Sequence, residues 1–143
     1  SRIILNIAGT GRQEAEIKAL IKDSAFIHYV GGLSYDKIDD YLGKSTFAII
    51  PSKFDNLPTV GLESLMNHTP LLMSNKTGLT HYLKEGFDCF KFDPTLDSMV
   101  ALFQELECKD NLEFREMGEN ARNTYLEKFS MEAYCSNFSK LIL

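Results

Sequence analysis

The sequence predicts an α/β fold: a parallel sheet covered by helices, followed by an all-helical C-terminal part. Three observations lead there. Apolar runs of strand length alternate with stretches of helical period as far as Phe92. Most of those runs stop at Gly, Pro or Ser, and after Asp93-Pro94 only the helical period remains. Strands alternating with helices imply right-handed crossovers within one sheet, and such sheets bind ligands outside the carboxyl ends of their strands. Function is therefore expected in the strand-to-helix loops.

Taken in order, Ile3 to Ala8 is a near-continuous apolar run, expected as a strand buried on both faces, and it ends in Gly9-Thr10-Gly11. Ala15, Ile17, Leu20 and Ile21 approximate helical spacing. Phe26 to Val30 repeats the strand signal and stops at Gly31-Gly32, after which Ser34 can cap a helix carrying Ile38, Tyr41 and Leu42. Phe47 to Ile50, then Pro51-Ser52 and a helix containing Glu63, form a third unit. Pro70 to Ser74 with a helix over Gly78 to Leu83 is expected as the fourth, and Cys89 to Phe92 is a last short strand. Leu96, Met99, Val100, Phe103 and Leu106 mark one long helix, and Phe114, Met117, Ala121 and Tyr125 mark another. A closing helix should start at Ser130. With no repeat, low-complexity tract or linker, residues 1–143 are expected to be a single domain.

The 143 residues are 44% hydrophobic, enough for one real core, and carry a formal charge of -5. That balance, with no basic run, argues against a nucleic-acid partner, because phosphate neutralisation needs clustered Lys and Arg. Cys89, Cys108 and Cys135 are odd in number and lack CxxC spacing, which fits reduced thiols, buried or inert, in a cytoplasmic protein. No apolar stretch approaches the ~20 residues of a membrane span. His28 and His68 have no partner at metal-ligand spacing, so no metal site is expected, and His81 reads as a surface or hydrogen-bonding residue rather than a catalyst. Abrupt entry into a strand at Arg2-Ile3 suggests a piece of a longer chain.

Gly9-Thr10-Gly11 begins like a dinucleotide fingerprint, but its third glycine position is Glu14 and no acid ends the second strand. Two glycines permitting a tight turn and a close helix start explain it better than direct ligand contact does. There is no P-loop, no HExxH and no GxSxG. The stretch Pro51-Ser52-Lys53-Phe54-Asp55-Asn56-Leu57-Pro58-Thr59-Val60-Gly61-Leu62-Glu63 is more informative. Pro58 suits a first helical position, so the helix should begin near Leu57 or Pro58. The free amides of Thr59 and Val60, with the helix dipole, then form a site for a diphosphate-like anion. Glu63, about one turn in, could accept from a ribose diol, and Asp55 from hydroxyls on the other side of the phosphates. Blander readings stand beside this one: Asp55 as a turn residue bonded to its own loop, Glu63 as a first-turn acid favoured by the dipole.

Asp55 to Glu63 resembles the Glu-x7-Glu motif of GT-B glycosyltransferases, particularly the large retaining family 4. Ala8-Gly9-Thr10-Gly11 resembles its glycine turn and Tyr29-Val30-Gly31 its strand into the nucleobase loop. Pro51-Ser52, Leu62-Glu63-Ser64-Leu65-Met66, Pro70-Leu71-Leu72, Gly78, Glu85-Gly86 and Phe129-Ser130 continue the likeness over nearly the whole chain. The resemblance implies a Rossmann-like three-layer domain, one half of a GT-B fold, that binds a nucleotide-diphosphate sugar without a metal or other cofactor.

Residue by residue it implies Glu63 on the ribose, Asp55 with the Asn56-Leu57 backbone on the sugar, and the Thr59 and Val60 amides on the phosphates. Asp55 and Glu63 are thus the candidate catalytic pair. Gly32, Leu33 and Ser34 would lie beside the base, and Gly9 and Gly11 would line the site. Asp55 in place of Glu, Asn56 in place of a common Gly, and His81 where Glu is frequent are departures at the sugar end. The resemblance also implies that an N-terminal acceptor domain and the first βα unit, with its Arg and Lys for the diphosphate, lie outside these residues. The whole protein would pass a sugar, with retention, to a glycan or lipid-linked acceptor in polysaccharide biosynthesis. Any contact with the inner membrane surface would belong to the missing half. The competing expectation is a non-catalytic α/β interaction module or a degenerate transferase domain. A receiver-like version of that reading lacks its acids, since the relevant strand ends read Ala8-Gly9 and Pro51-Ser52.

Overall fold

The computed structural model describes residues 3–142, so Arg2 lies outside the described part. The chain divides into two compact units, one ending at Ile38 and one beginning at Asp39.

In the first unit, strands β1 (Leu5–Ala8) and β2 (Ile27–Gly31) flank helix α1 (Glu14–Ile21). The strands pair in parallel, Leu5 with Ile27 and Ile7 with Tyr29, and the register then slips so that Ala8 meets Gly31. The expectation of a strand buried on both faces is corrected here. Leu5 and Ile7 are half-buried, whereas Asn6 and Ala8 are exposed. Asn6 pairs with His28, and two polar side chains on one face of a pleated pair mark that face as outward. Ser24 starts β2 by accepting the amides of Phe26 (3.2 Å) and Ile27 (3.1 Å). Helix α2 (Tyr35–Gly43) begins at the end of this unit, directly after Ser34, whose carbonyl accepts the Lys37 amide at 2.9 Å.

The second unit is built on strands β3 (Ala48–Ile50), β4 (Leu71–Ser74) and β5 (Cys89–Phe92), all parallel, in that spatial order. The described strands thus form two parallel sheets rather than the one expected. Successive side chains of β4 and β5 point to opposite faces, and each face has its own apolar cluster. Leu71, Met73 and Cys89 pack with Leu65 of helix α3 (Thr59–Met66) and Ala121 of helix α5 (Asn111–Lys128). Leu72, Phe90 and Phe92 pack with Leu102 and Leu106 of helix α4 (Leu96–Glu107), and Phe47 meets Phe114 edge-on at 4.9 Å. Three layers result, helix, sheet and helix, with α5 contributing Met117 to the second cluster as well.

Helix starts follow their caps. Thr95 accepts the Ser98 amide (3.3 Å), Asp110 that of Leu112 (3.2 Å), and Ser130 that of Ala133 (3.1 Å) at the start of helix α6 (Met131–Ile142). Gly78 to Leu83, expected as a helix, is instead a short 3-10 turn over Gly78–His81. Its leucines still bury, Leu79 fully and Leu83 nearly so, but the Tyr82 amide closes back onto Leu79 and the chain leaves. Among the described residues no helix is long and apolar enough to cross a membrane.

The thiols correct another expectation: Cys89 is buried, but Cys108 and Cys135 are exposed. Burial first, then the Asp88 charge, pushes the Cys89 thiol far above its usual range. In native protein a maleimide should therefore label two of these three thiols, Cys89 reacting only after denaturation, as read by intact mass.

Candidate functional site

Ile50 ends β3 in the core, and Pro51-Ser52 carries the chain out into the loop that holds Asp55. That loop is tied by its backbone. Asp55 forms a parallel bridge with Thr77, and its carbonyl accepts the Gly78 amide at 2.8 Å. Asn56 and Leu57 are exposed, Pro58 is buried, and α3 begins at Thr59. The helix thus starts one or two residues later than the expected Leu57 or Pro58. Pro58 is the N-cap, with φ -62 and ψ 120, rather than the first helical residue.

A proline N-cap has no side-chain oxygen, so nothing closes the end of α3 from within. Gly61 already donates to the Pro58 carbonyl at 2.9 Å, in a tightened first turn. The amides of Thr59 and Val60 lie beyond the reach of intrahelical bonding, on exposed residues. Glu63 is the fifth residue of α3 and stands about one turn, roughly 6 Å, along the axis from Thr59. It therefore lies outside the first turn, where an acid is favoured by the dipole alone. Helical side chains lean toward the N-terminus, which carries its carboxylate back toward the open amides. Asp55 and Glu63 are both half-buried, and among the described residues neither carboxylate takes part in a hydrogen bond or ion pair. Asp55 makes no side-chain bond to its own loop.

In the first unit, Gly9, with φ 137, donates its amide to the Gly31 carbonyl at 2.8 Å, and its carbonyl accepts the Tyr29 hydroxyl. Gly31 has φ 76, a conformation that side chains disfavour, and a Cβ on Gly32 would meet the Thr10 methyl at 3.1 Å. Gly11 has neither constraint: a Cβ there would meet open space. The turn borders a cleft of about 670 Å³ lined by Gly9, Thr10, Gly11, Arg12, Glu14 and Tyr29, among others. Of its lining groups, the Glu14 carboxyl is held below its usual range by the Lys18 ammonium 2.6 Å away, while desolvation raises the Tyr29 phenol. Leu33 is half-buried and Ser34 exposed.

His81 ends the 3-10 turn and is exposed, His28 is an exposed residue of β2, and His68 follows α3 at φ 58. Among the described residues no three His, Cys, Asp or Glu are grouped to hold a metal ion. Sequence reasoning missed the role of the turn after β4 as a support for the Asp55 loop. Its one visible signal was Gly78, whose partner across the contact is not visible in a one-dimensional pattern.

These features define a parallel α/β unit with an open helix mouth at the carboxyl edge of its sheet, a common arrangement for phosphate-bearing ligands. Residues 1–124 match the model of the family described as glycosyl transferases group 1, and the chain belongs to that family. Its fold is shared with solved glycosyltransferase domains of the Rossmann-like GT-B type. Sucrose-phosphate synthase from Thermosynechococcus elongatus aligns at TM-score 0.80 and 20% identity, over 96% of this chain and 37% of that one. HepE (Alr3699) of Anabaena, solved in complex with UDP, aligns at 0.80 and 13%, over 98% and 40%. The C-terminal domain of the group 1 glycosyl transferase LpcC from Francisella tularensis aligns at 0.72 and 12%, over 85% and 66%. This chain thus spans about two fifths of the first two. No curated protein matched the sequence.

Proposed function

We propose that these residues are most of the donor-binding domain of a retaining, family 4-like glycosyltransferase that uses a nucleotide-diphosphate sugar without a metal. One observation carries the reading: the uncapped start of α3, with two free amides flanked by two carboxylates that have no protein partner. The amides and helix dipole receive the diphosphate, Glu63 accepts from the ribose hydroxyls, and Asp55 with the Asn56-Leu57 backbone holds the sugar. For Gly9, Gly11, Gly32, Leu33 and Ser34, in the other unit, a part in nucleotide binding rests on the family resemblance alone. Catalysis rests on stabilising the departing diphosphate electrostatically. A solved complex of HepE with UDP-glucose supports the substrate class by likeness of fold. The acceptor, a glycan or lipid-linked sugar, is held by an N-terminal domain of the whole gene product, as is any membrane contact.

Calorimetric titration of UDP, GDP and ADP, each free and joined to glucose, into the whole gene product tests the reading. One of the three nucleotides should bind, and Glu63→Ala should weaken it by roughly ten- to a hundredfold, the cost of a charge-assisted bond to a hydroxyl pair. Heats for none of the ligands would sink the donor-binding reading, and equal heats for both proteins would remove the ribose contact. Turnover should persist in EDTA, and the anomeric configuration of the product should match that of the donor.

A further inference from the structure

We propose that Gly78 is a positioning residue for the donor sugar, acting through the Asp55-Asn56 loop. This rests on the reading just given and adds a part of the site that Asp55 and Glu63 do not supply.

The observation is one of space. A Cβ on Gly78 would lie closer to the Asn56 carbonyl oxygen than any real Cβ lies to a neighbour, with the carbonyl carbon at 3.1 Å and the Asn56 Cα at 3.3 Å. All three are backbone atoms of the loop, so no rotamer change relieves the overlap. Gly78 does not have a positive φ, so its own conformation does not require glycine. Close approach to the loop is what does. The same residue donates its amide to the Asp55 carbonyl at 2.8 Å, so contact and hydrogen bond fix adjacent residues of one loop.

Which side would yield to an added methyl follows from the anchoring. The turn is held from below: Leu79 is fully buried, the Thr77 hydroxyl donates to the Ser74 carbonyl at 3.0 Å, and the Thr80 hydroxyl donates to the Thr77 carbonyl at 2.6 Å. The Lys91 ammonium holds its far end by donating to the carbonyls of Thr80 (2.9 Å) and Leu83 (2.7 Å). The loop, by contrast, has exposed Asn56 and Leu57 at its outer side. It is the loop that would move, by about 1 Å, to restore a normal carbon-oxygen contact. Pro58 is buried again and is the cap from which the helix starts, so the displacement ends before Thr59. The methyl therefore disturbs the sugar end and spares the phosphate and ribose end. A misplacement of this size is enough to cost a large factor at a reacting centre.

The experiment uses the whole gene product carrying Gly78→Ala, with UDP and UDP-glucose, GDP and GDP-glucose, and ADP and ADP-glucose as probes. For the nucleotide that the wild type binds, the free diphosphate should bind within about twofold of wild type. Affinity for its sugar form, and kcat/KM, should fall by roughly tenfold or more. Gly118→Ala is the matched control, because its Cβ would meet another backbone oxygen, that of His68, at 2.5 Å, away from the loop. It should lower the melting temperature without changing the ratio of the two affinities. If Gly78→Ala fails to fold, Lys91→Met, which releases the turn without adding bulk, should show the same sugar-selective loss at about threefold. Equal losses for free and sugar-bearing nucleotide, or no loss for either, would overturn the role of Gly78 while leaving donor binding standing. A wild type that binds no probe would overturn donor binding itself, and the two failures are thereby distinct.

Discussion

Asp88→Ala should lower the melting temperature by roughly 10 °C, the effect of about 3 kcal/mol on a domain of this size. Asp88 is 1% exposed, in the turn that feeds β5. One carboxylate oxygen accepts the Lys84 amide at 2.8 Å and the other accepts the Thr124 hydroxyl of α5 at 2.8 Å. Its carbonyl also accepts the Leu71 amide as β4 begins. Truncation to alanine leaves a part-buried main-chain donor and a buried hydroxyl without their partners, together worth about 3 kcal/mol, and a small cavity besides. Asp88→Asn keeps an acceptor for the Lys84 amide and lets the Thr124 hydroxyl reverse and accept, so it should lose only about 1 kcal/mol. Thr124→Val removes one bond from the same pair and should fall between them. Circular dichroism melts of the three variants decide the matter: coincident curves for Asp88→Ala and wild type would mean that this carboxylate holds nothing.

Much of the fold was legible because the relevant signals are local. The face of α5 could be read from steps of three and four, and Ser130 announced α6 through its own hydroxyl, but on α4 the stripe was only partly right: Leu96 and Val100 are exposed, while Leu102, outside the stripe, is buried. Illegible features depend on partners distant in sequence. The run Ile3 to Ala8 looked buried on both faces because its single polar residue, Asn6, was outweighed by its neighbours; pairing with His28 gives that residue its direction. Pro58 reads equally well as a first helical residue or as the cap before it, since both need the same φ; only ψ 120 separates them. Helical spacing of Leu79 and Leu83 was real, yet the turn stops at His81. Cys108 could have been placed outside the core by period alone, since it follows Leu106 by two residues, off the buried stripe of α4. At the candidate site, the spacing of Asp55 and Glu63 did indicate one carboxylate in the loop and one a turn into the helix, which is where they stand. The floor under that loop was hidden, because a glycine shows its reason only in the atom it excludes.

Asp55→Ala in the whole gene product should reduce kcat/KM by roughly a hundredfold, about 2.7 kcal/mol of transition-state stabilisation, with little change in melting temperature. The two halves of that expectation have separate causes. Asp55 is placed by its backbone, through the bridge to Thr77 and the bond from Gly78, while its side chain binds no protein group. Removing the carboxylate therefore orphans nothing, and a substitution of that kind stays within about 0.5 kcal/mol of wild-type stability. On the proposed donor site, what is lost is an acceptor for the sugar hydroxyls, and its loss is felt most once the sugar must be held in a reactive pose. Asp55→Asn retains shape without charge and should recover only part of the activity. Asp55→Glu carries the carboxylate one methylene further from a fixed backbone, so it should change KM for the donor more than it changes the melting curve. Free nucleoside diphosphate should bind all three variants as it binds wild type, because the proposed site gives its phosphates and ribose to Thr59, Val60 and Glu63, on the far side of Pro58. If kcat/KM of Asp55→Ala stayed within twofold of wild type, the carboxylate would be a turn residue only, and the sugar would have to be held elsewhere.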